Sequence, residues 1–329
     1  MASRNVKILL TAFLLSFFGF WGLNVFQKDI EEIFFWQEVT KNPEVLLAQI
    51  EIKPKPKTKT KKQDSSLILP ENLEIKAKSA IAVLVTPDGK EKILFEKDIK
   101  QRRPIASLTK LMTAIVAEEV YNSKDIFVIS KKAVAQEEQI GQLSPGEKLS
   151  LDQLLAIMLI ESSNDAAWAI AEGQTTSTST STSNYQRFVE LMNKKAKEIG
   201  LEDTFFNNPT GLNGTENYST SYDLIKIAQY ILKNHPEILE ITRHRSWKAL
   251  YPDGTLHHFI SENTNKLLEE IPEIIGGKTG YTEEAGGCIL LILKNNKNRY
   301  LIIVVLGTDS PDSRFLEAKK LINYCRKVL

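Results

Sequence analysis

"GGKTGYTEEAGGCILLILKNNKNRYLIIVVLG", residues 276–307, carries two long apolar runs, GGCILLILK and RYLIIVVLG, joined by the polar Asn295-Asn296-Lys297-Asn298. Runs of this length rich in Ile, Leu and Val and bounded by turn residues predict paired strands. "SAIAVLVTPDGKEKILFEKD", 79–98, reads the same way around Pro87-Asp88-Gly89. The text between the two hairpins changes period. Leu108, Leu111, Met112, Ile115 and Val116 repeat at the spacing of a buried helix stripe, as do Leu151, Leu154, Leu155, Met158 and Leu159. "YQRFVELMNKKAKEIG", 185–200, is an amphipathic helix ending at a glycine, and "STSYDLIKIAQYILKN", 219–234, is another with Ser or Thr available as a cap. A last helix is predicted at roughly 311–327. Strands therefore stand at both ends of the domain and helices fill its middle. The predicted fold is α+β: one antiparallel sheet of about five strands built from both ends of the domain, flanked by helices, with an all-helical lobe inserted.

The bulk numbers suit such a domain. The chain has 329 residues, 42% apolar and 25% charged, with a formal net charge of +1. That balance gives no global field for a nucleic acid, and none is expected as a partner. Two cysteines, Cys288 and Cys325, exclude a disulfide framework and a four-thiolate zinc site, and leave one bridge or two free thiols open. His235, His244, His257 and His258 include no HExxH spacing, so neither a metal nor another cofactor is expected.

Before the domain the chain is different. MASRNVK is followed by an uncharged apolar run, Ile8 to Phe26, then by the acidic KDIEE. The run approaches the ~20 residues a helix needs to cross a bilayer. It exceeds the roughly 7–15 residues of a cleaved signal core, and no small-x-small cleavage site follows. Residues 1–28 are expected to be a cytoplasmic tip and single-pass membrane anchor, with the catalytic domain outside the cytoplasm (or secreted, if the segment is cleaved). Residues 29–73 are a juxtamembrane segment and linker, in which "KPKPKTKTKKQDS", 53–65, is too polar to pack and too charged to collapse. The domain itself is expected over 74–329. Within it, "TTSTSTSTS", 175–183, reads as a flexible surface insertion.

Three short motifs bear on chemistry. In "PIASLTKLMTA", 104–114, Ser107 and Lys110 fall one helical turn apart on a face continued by Ala114 and Ala117. A lysine among apolar neighbours loses hydration, its pKa falls, and a neutral amine can take a proton from an adjacent hydroxyl. A helix cap followed by a lysine that reaches solvent explains the same pair, and the motif alone does not choose. "IESSNDAA", 160–167, puts Ser162 and Asn164 where a long apolar helix breaks, and taken alone the stretch reads first as a cap with a turn. The Ser-x-Asn pattern recurs as SEN at 261–263. In "GGKTGYT", 276–282, glycines before a strand allow close approach to its edge, where Lys278 and Thr279 offer a cation and a hydroxyl suited to a carboxylate.

SLTK, SSN and KTG in this order resemble the three active-site motifs of the penicillin-binding protein and serine β-lactamase superfamily. "RPIASLTKLMTA", "IESSNDAAWAIAE", "FVELMNKKAKEIGL", "NPTGLNG", "YSTSYDLIKIAQYIL" and "GGKTGYTEEAGGCIL" narrow the likeness to the low-molecular-weight D-alanyl-D-alanine carboxypeptidases, from about residue 74 to the last residue. The resemblance implies a serine carboxypeptidase acting on peptidoglycan stem peptides that end in D-Ala-D-Ala, inhibited by β-lactams. It implies Ser107 as nucleophile, Lys110 as its base and Ser162 as a proton relay. Asn164 would bond Lys110 and the substrate amide, and Lys278 and Thr279 would hold the terminal carboxylate. The backbone N–H groups of Ser107 and Tyr281, beside Gly280, would form an oxyanion hole worth roughly 3 kcal/mol per donor. "SRFLEAKKLINY", 313–324, resembles the segment with a carboxylate-binding arginine, which makes Arg314 a candidate beside its reading as a surface arginine.

Many members carry a β-rich domain after the catalytic one and a C-terminal amphipathic anchor. Here the chain after Gly280 is expected to supply only the last strands and one helix, with the anchor moved to the N-terminus. A class A β-lactamase would need a glutamate on a loop after Ser-x-Asn, and Glu190 falls in a helical pattern instead. A D,D-endopeptidase would use the same residues. A non-catalytic cell-wall binding protein is disfavoured by retention of all three motifs, and a Ser-His-Asp esterase by the lack of a Gly-x-Ser-x-Gly elbow.

Overall fold

The computed structural model describes residues 73–329 except 88, 137–142, 174–180, 213–216, 251–255 and 261. The expected anchor and all but the last residue of the linker lie outside the described residues, as do residues 175–180 of the Thr/Ser run. Residues 181–183 of that run open a helix.

The elements in chain order are β1 (Ser79–Val85), β2 (Glu91–Lys97), β3 (Arg103–Pro104), α1 (Thr109–Val120), β4 (Ile126–Val128), β5 (Lys148–Ser150), α2 (Leu151–Ile160) and α3 (Asn164–Glu172). They continue with α4 (Ser181–Ile199), β6 (Tyr218–Ser219), α5 (Ser221–Asn234), α6 (Pro236–Thr242), β7 (Trp247–Leu250) and β8 (Leu256–Ile260). β9 (Ile274–Thr282), β10 (Gly286–Lys294), β11 (Tyr300–Thr308) and α7 (Ser313–Val328) end the domain.

The main sheet has the order β2-β1-β11-β10-β9, so the first hairpin joins the last three strands. The seam is β1 against β11, antiparallel from Ser79↔Leu306 to Val85↔Tyr300. Because side chains alternate across a sheet, the inner strands β1, β11 and β10 each feed two cores. Ile81, Val83, Leu290, Ile292, Ile302 and Val304 face the helical lobe. Ala80, Ala82, Ile289, Leu291, Ile303 and Val305 face the other way, in one cluster with Phe315, Ala318, Leu321 and Ile322 of α7. A sheet covered on both faces explains strand runs that are apolar without alternation.

The lobe is built on α1 and α2. Eight of the ten residues of α2 are buried, as expected of a helix apolar on nearly every side. The ends of the helices follow their sequence signals. Thr220 Oγ1 accepts from Asp223 N at 3.0 Å to cap α5, and α4 ends before Gly200 at φ +78°. Cys288 and Cys325 are both buried free thiols.

Candidate active site

The three motifs meet at the edge of the sheet. Ser107 lies in a 3₁₀ turn, residues 106–108, just before α1, and neither that turn nor α1 begins with a side-chain cap. The capping alternative for Ser107 is therefore set aside. Ala106, the residue before it, takes φ +47°, a left-handed backbone that costs a non-glycine residue about 1–3 kcal/mol. The turn is locked from two sides. A Cβ on Gly280 of β9 would come within 2.9 Å of Ser107 N, and one on Gly211 (φ +87°) would overlap the Ala106 carbonyl. Glycine at both positions lets β9 and the 208–212 turn close on Ser107.

Lys110 is fully buried, more so than its neighbours in the sequence implied. Its Nζ donates to Ser107 Oγ at 2.9 Å, Asn164 Oδ1 at 2.8 Å and the Thr210 carbonyl at 2.7 Å. Two of these acceptors are carbonyl-type oxygens, which cannot donate; the third is a hydroxyl, which can. An amine so placed has two acceptor-only partners and one partner, Ser107, that can donate back to it.

Ser162 and Ser163 divide the work at the break between α2 and α3. Ser163 Oγ accepts from Ala166 N at 3.1 Å and caps α3. Ser162 takes φ +72°, and its Oγ accepts from Lys278 Nζ at 2.9 Å. Lys278 is 1% exposed. Burial above all, with the positive charges of Lys110 and Arg314, holds its pKa well below the ordinary lysine range. The site thus contains two buried lysines, each bonded to a serine hydroxyl.

Thr279 is buried, and its Oγ1 donates to Thr264 Oγ1 at 2.7 Å. Tyr281, 39% exposed, stands at the rim. Arg314 reaches the site from α7: its Nη1 donates to the Gly280 carbonyl at 2.8 Å, and burial lowers its pKa. It is a half-buried brace on β9 and not the surface arginine that its sequence also allowed. Glu190 is exposed on α4, as its helical pattern indicated. Among the described residues no three His, Cys, Asp or Glu side chains are grouped to hold a metal ion.

Two contributors were not singled out in the sequence. Thr210 acts through its backbone carbonyl, held by an asparagine-built turn. Asn208 Oδ1 accepts from Thr210 N, Thr210 Oγ1 and Gly211 N at 2.8–3.1 Å, and Asn217 Nδ2 donates to the same oxygen at 2.9 Å. The NPTGLNG text marks that turn, but no periodicity marks a carbonyl. Thr264 follows the SEN triplet, whose Asn263 is structural: its Nδ2 bonds the carbonyls of Thr242 and His244.

Comparison with known proteins agrees with this arrangement. Residues 61–310 match a family model described as D-alanyl-D-alanine carboxypeptidase, peptidase S11. D-alanyl-D-alanine carboxypeptidase DacF of Bacillus subtilis is 34% identical over 76% of this chain and 63% of its own length. DacD of Escherichia coli is 30% identical over 78% of this chain and 64% of its own. The chain thus spans less than two thirds of these curated relatives. The crystal structure of the Streptomyces K15 DD-transpeptidase superposes with a TM-score of 0.68 at 30% identity, covering 76% of this chain and 97% of that one.

Proposed function

This chain belongs to the D-alanyl-D-alanine carboxypeptidase family, peptidase S11, and from that premise we propose that it removes the terminal D-alanine from peptidoglycan stem peptides ending in D-Ala-D-Ala. The observation that carries the reading is the Lys110 amine, 2.9 Å from Ser107 Oγ with carbonyl-type oxygens at two of its other positions. That arrangement suits a neutral base aimed at a hydroxyl nucleophile.

In this reading Lys110 takes the Ser107 proton as Oγ bonds the penultimate D-Ala carbonyl carbon. The Ser107 and Tyr281 backbone N–H groups receive the developing oxyanion. The C–N bond then breaks, and the proton held by Lys110 passes to the leaving amine through Ser162. Lys278 donates to the Ser162 oxygen and so leaves its O–H free to face the cleft. Asn164 orients Lys110 and the substrate amide; Lys278 and Thr279 receive the terminal carboxylate, with Arg314 behind β9. Water then repeats the sequence on the acyl-enzyme and releases the shortened peptide. β-Lactams would acylate the same serine.

We further place this domain outside the cytoplasm, tethered by Ile8–Phe26 with its positive flank inside. No helix among the described residues is long and apolar enough to cross a membrane, and Ile8–Phe26 lies outside them.

The test uses the full chain in detergent with labelled penicillin and, separately, a pentapeptide stem. Labelling and D-Ala release that both vanish in Ser107→Ala are expected. Absence of labelling in the wild type overturns the serine acyl-enzyme; labelling with cross-link cleavage but no D-Ala release points to an endopeptidase.

A further inference from the structure

Thr264 has no place in the three motifs, yet its hydroxyl is the partner of Thr279 Oγ1 at 2.7 Å. Its backbone is pinned on both sides. Asn263 N donates to Arg245 O at 2.8 Å, Asn263 Oδ1 accepts from Asn265 N at 2.8 Å, and Asn265 Oδ1 accepts from Leu267 N at 3.2 Å. Thr264 N itself donates to the Ile160 carbonyl at 3.1 Å, two residues before Ser162, and its Oγ1 makes a long 3.4 Å contact to the same oxygen. Thr264 therefore joins the Ser-x-Asn side of the cleft to the Lys-Thr-Gly strand.

The polarity of this chain matters. Thr279 donates to Thr264, and Thr264 donates at longer range to Ile160 O. In that arrangement the Thr279 proton is engaged by Thr264 and is not offered to a ligand. A carboxylate only accepts, so Thr279 must reverse to donate to it. Thr264 can support the reversal: its hydroxyl leaves Ile160 O, which keeps the 3.1 Å bond from Thr264 N, and donates instead to Thr279 Oγ1. Chains of hydroxyls polarised in one direction strengthen one another.

We propose that Thr264 is a positioning residue that directs the Thr279 hydroxyl onto the terminal carboxylate of the substrate and so sets the preference for a free C-terminus. This rests on the carboxypeptidase reading of the same site. A C-terminal carboxamide depends less on the reversal, because its N–H can donate to the Thr279 oxygen in the existing chain, which a carboxylate cannot do.

The experiment compares a D-Ala-D-Ala stem peptide with its C-terminal carboxamide in the full-length wild type, Thr264→Val and Thr264→Ser. With Thr264→Val, kcat/KM for the carboxylate peptide is expected to fall about tenfold, the size of one charge-assisted hydrogen bond, mostly through KM. The carboxamide should change less than about twofold, so the selectivity ratio collapses. Thr264→Ser, which keeps the hydroxyl, should stay near wild type. Equal losses on both substrates, a loss confined to kcat, or failure of serine to rescue would overturn the proposal. A wild-type chain that turns over neither peptide overturns the carboxypeptidase reading, and the proposal falls with it.

Discussion

Lys278 Nζ donates to Ser162 Oγ at 2.9 Å from a position 1% exposed to solvent, while a second buried lysine, Lys110, holds Ser107 in the same way. Two ammonium ions so placed would repel each other and lack water. Burial and the charge of Lys110 depress the Lys278 pKa, so the site favours fewer protons than two exposed lysines would carry.

That depression has a consequence for stability. Between the lowered folded pKa and the ordinary value of 10.5, the unfolded chain binds more protons at Lys278 than the folded chain does. Stability from this group is full above 10.5 and is lost as pH falls towards the folded pKa. Lys278→Met removes the dependence. Urea midpoints should show the variant gaining on wild type at pH 7 and losing that advantage towards pH 10. A difference that does not vary with pH would contradict the assignment.

Asp165 carries the opposite sign. Burial, with Glu161 adding to it, pushes its carboxyl up to about 6, and Oδ1 is a buried oxygen with no hydrogen-bond partner. The folded state binds the extra proton between 3.8 and about 6, so stability falls as pH rises through that window. Asp165→Asn should raise the melting temperature at about pH 7.5, above that window, and do little near about pH 4, at its lower end. A gain of equal size at both pH values would rule this out.

Lys110→Met keeps the length of the side chain and deletes the proposed base. Loss of a positioned general base lowers rates by roughly 10²–10⁴-fold, and penicillin acylation of Ser107 should slow by that order. Circular dichroism should report an intact fold. Acylation within threefold of wild type, by the same order-of-magnitude reasoning, would remove Lys110 from the mechanism.

Gly280→Ala tests the close approach of β9 to Ser107. The new Cβ would stand 2.9 Å from Ser107 N and 3.0 Å from Ala106 Cβ, both too near without movement. Displacement of the nucleophile by about 1 Å can cost on the order of 10² in rate, and acylation should fall accordingly while the sheet still forms. The measurement is the second-order acylation rate beside the urea midpoint. An unchanged rate would show that the turn yields freely.

Much of this protein was written locally. The apolar runs that became β1, β10 and β11 decided the sheet, because strands buried on both faces are apolar nearly along their whole length. The Ser-x-x-Lys spacing put Ser107 and Lys110 within reach of each other, although Ser107 sits in the 3₁₀ turn before α1, and the cap at Thr220 and the stop at Gly200 are read residue by residue. What periodicity does not encode is which distant group meets which. Asn164 stands 54 residues from Lys110, the Thr210 carbonyl 100 residues away, and Ser162 116 residues from Lys278. Chain folding alone made those pairs, by closing β9 and the Asn208 turn onto the 3₁₀ turn before α1. The same closure took Ser107 out of a capping position, and it turned Arg314 inward to Gly280. A hydrogen bond is a short-range and directional contact, so its partners across the sequence are chosen by packing, which no local pattern contains.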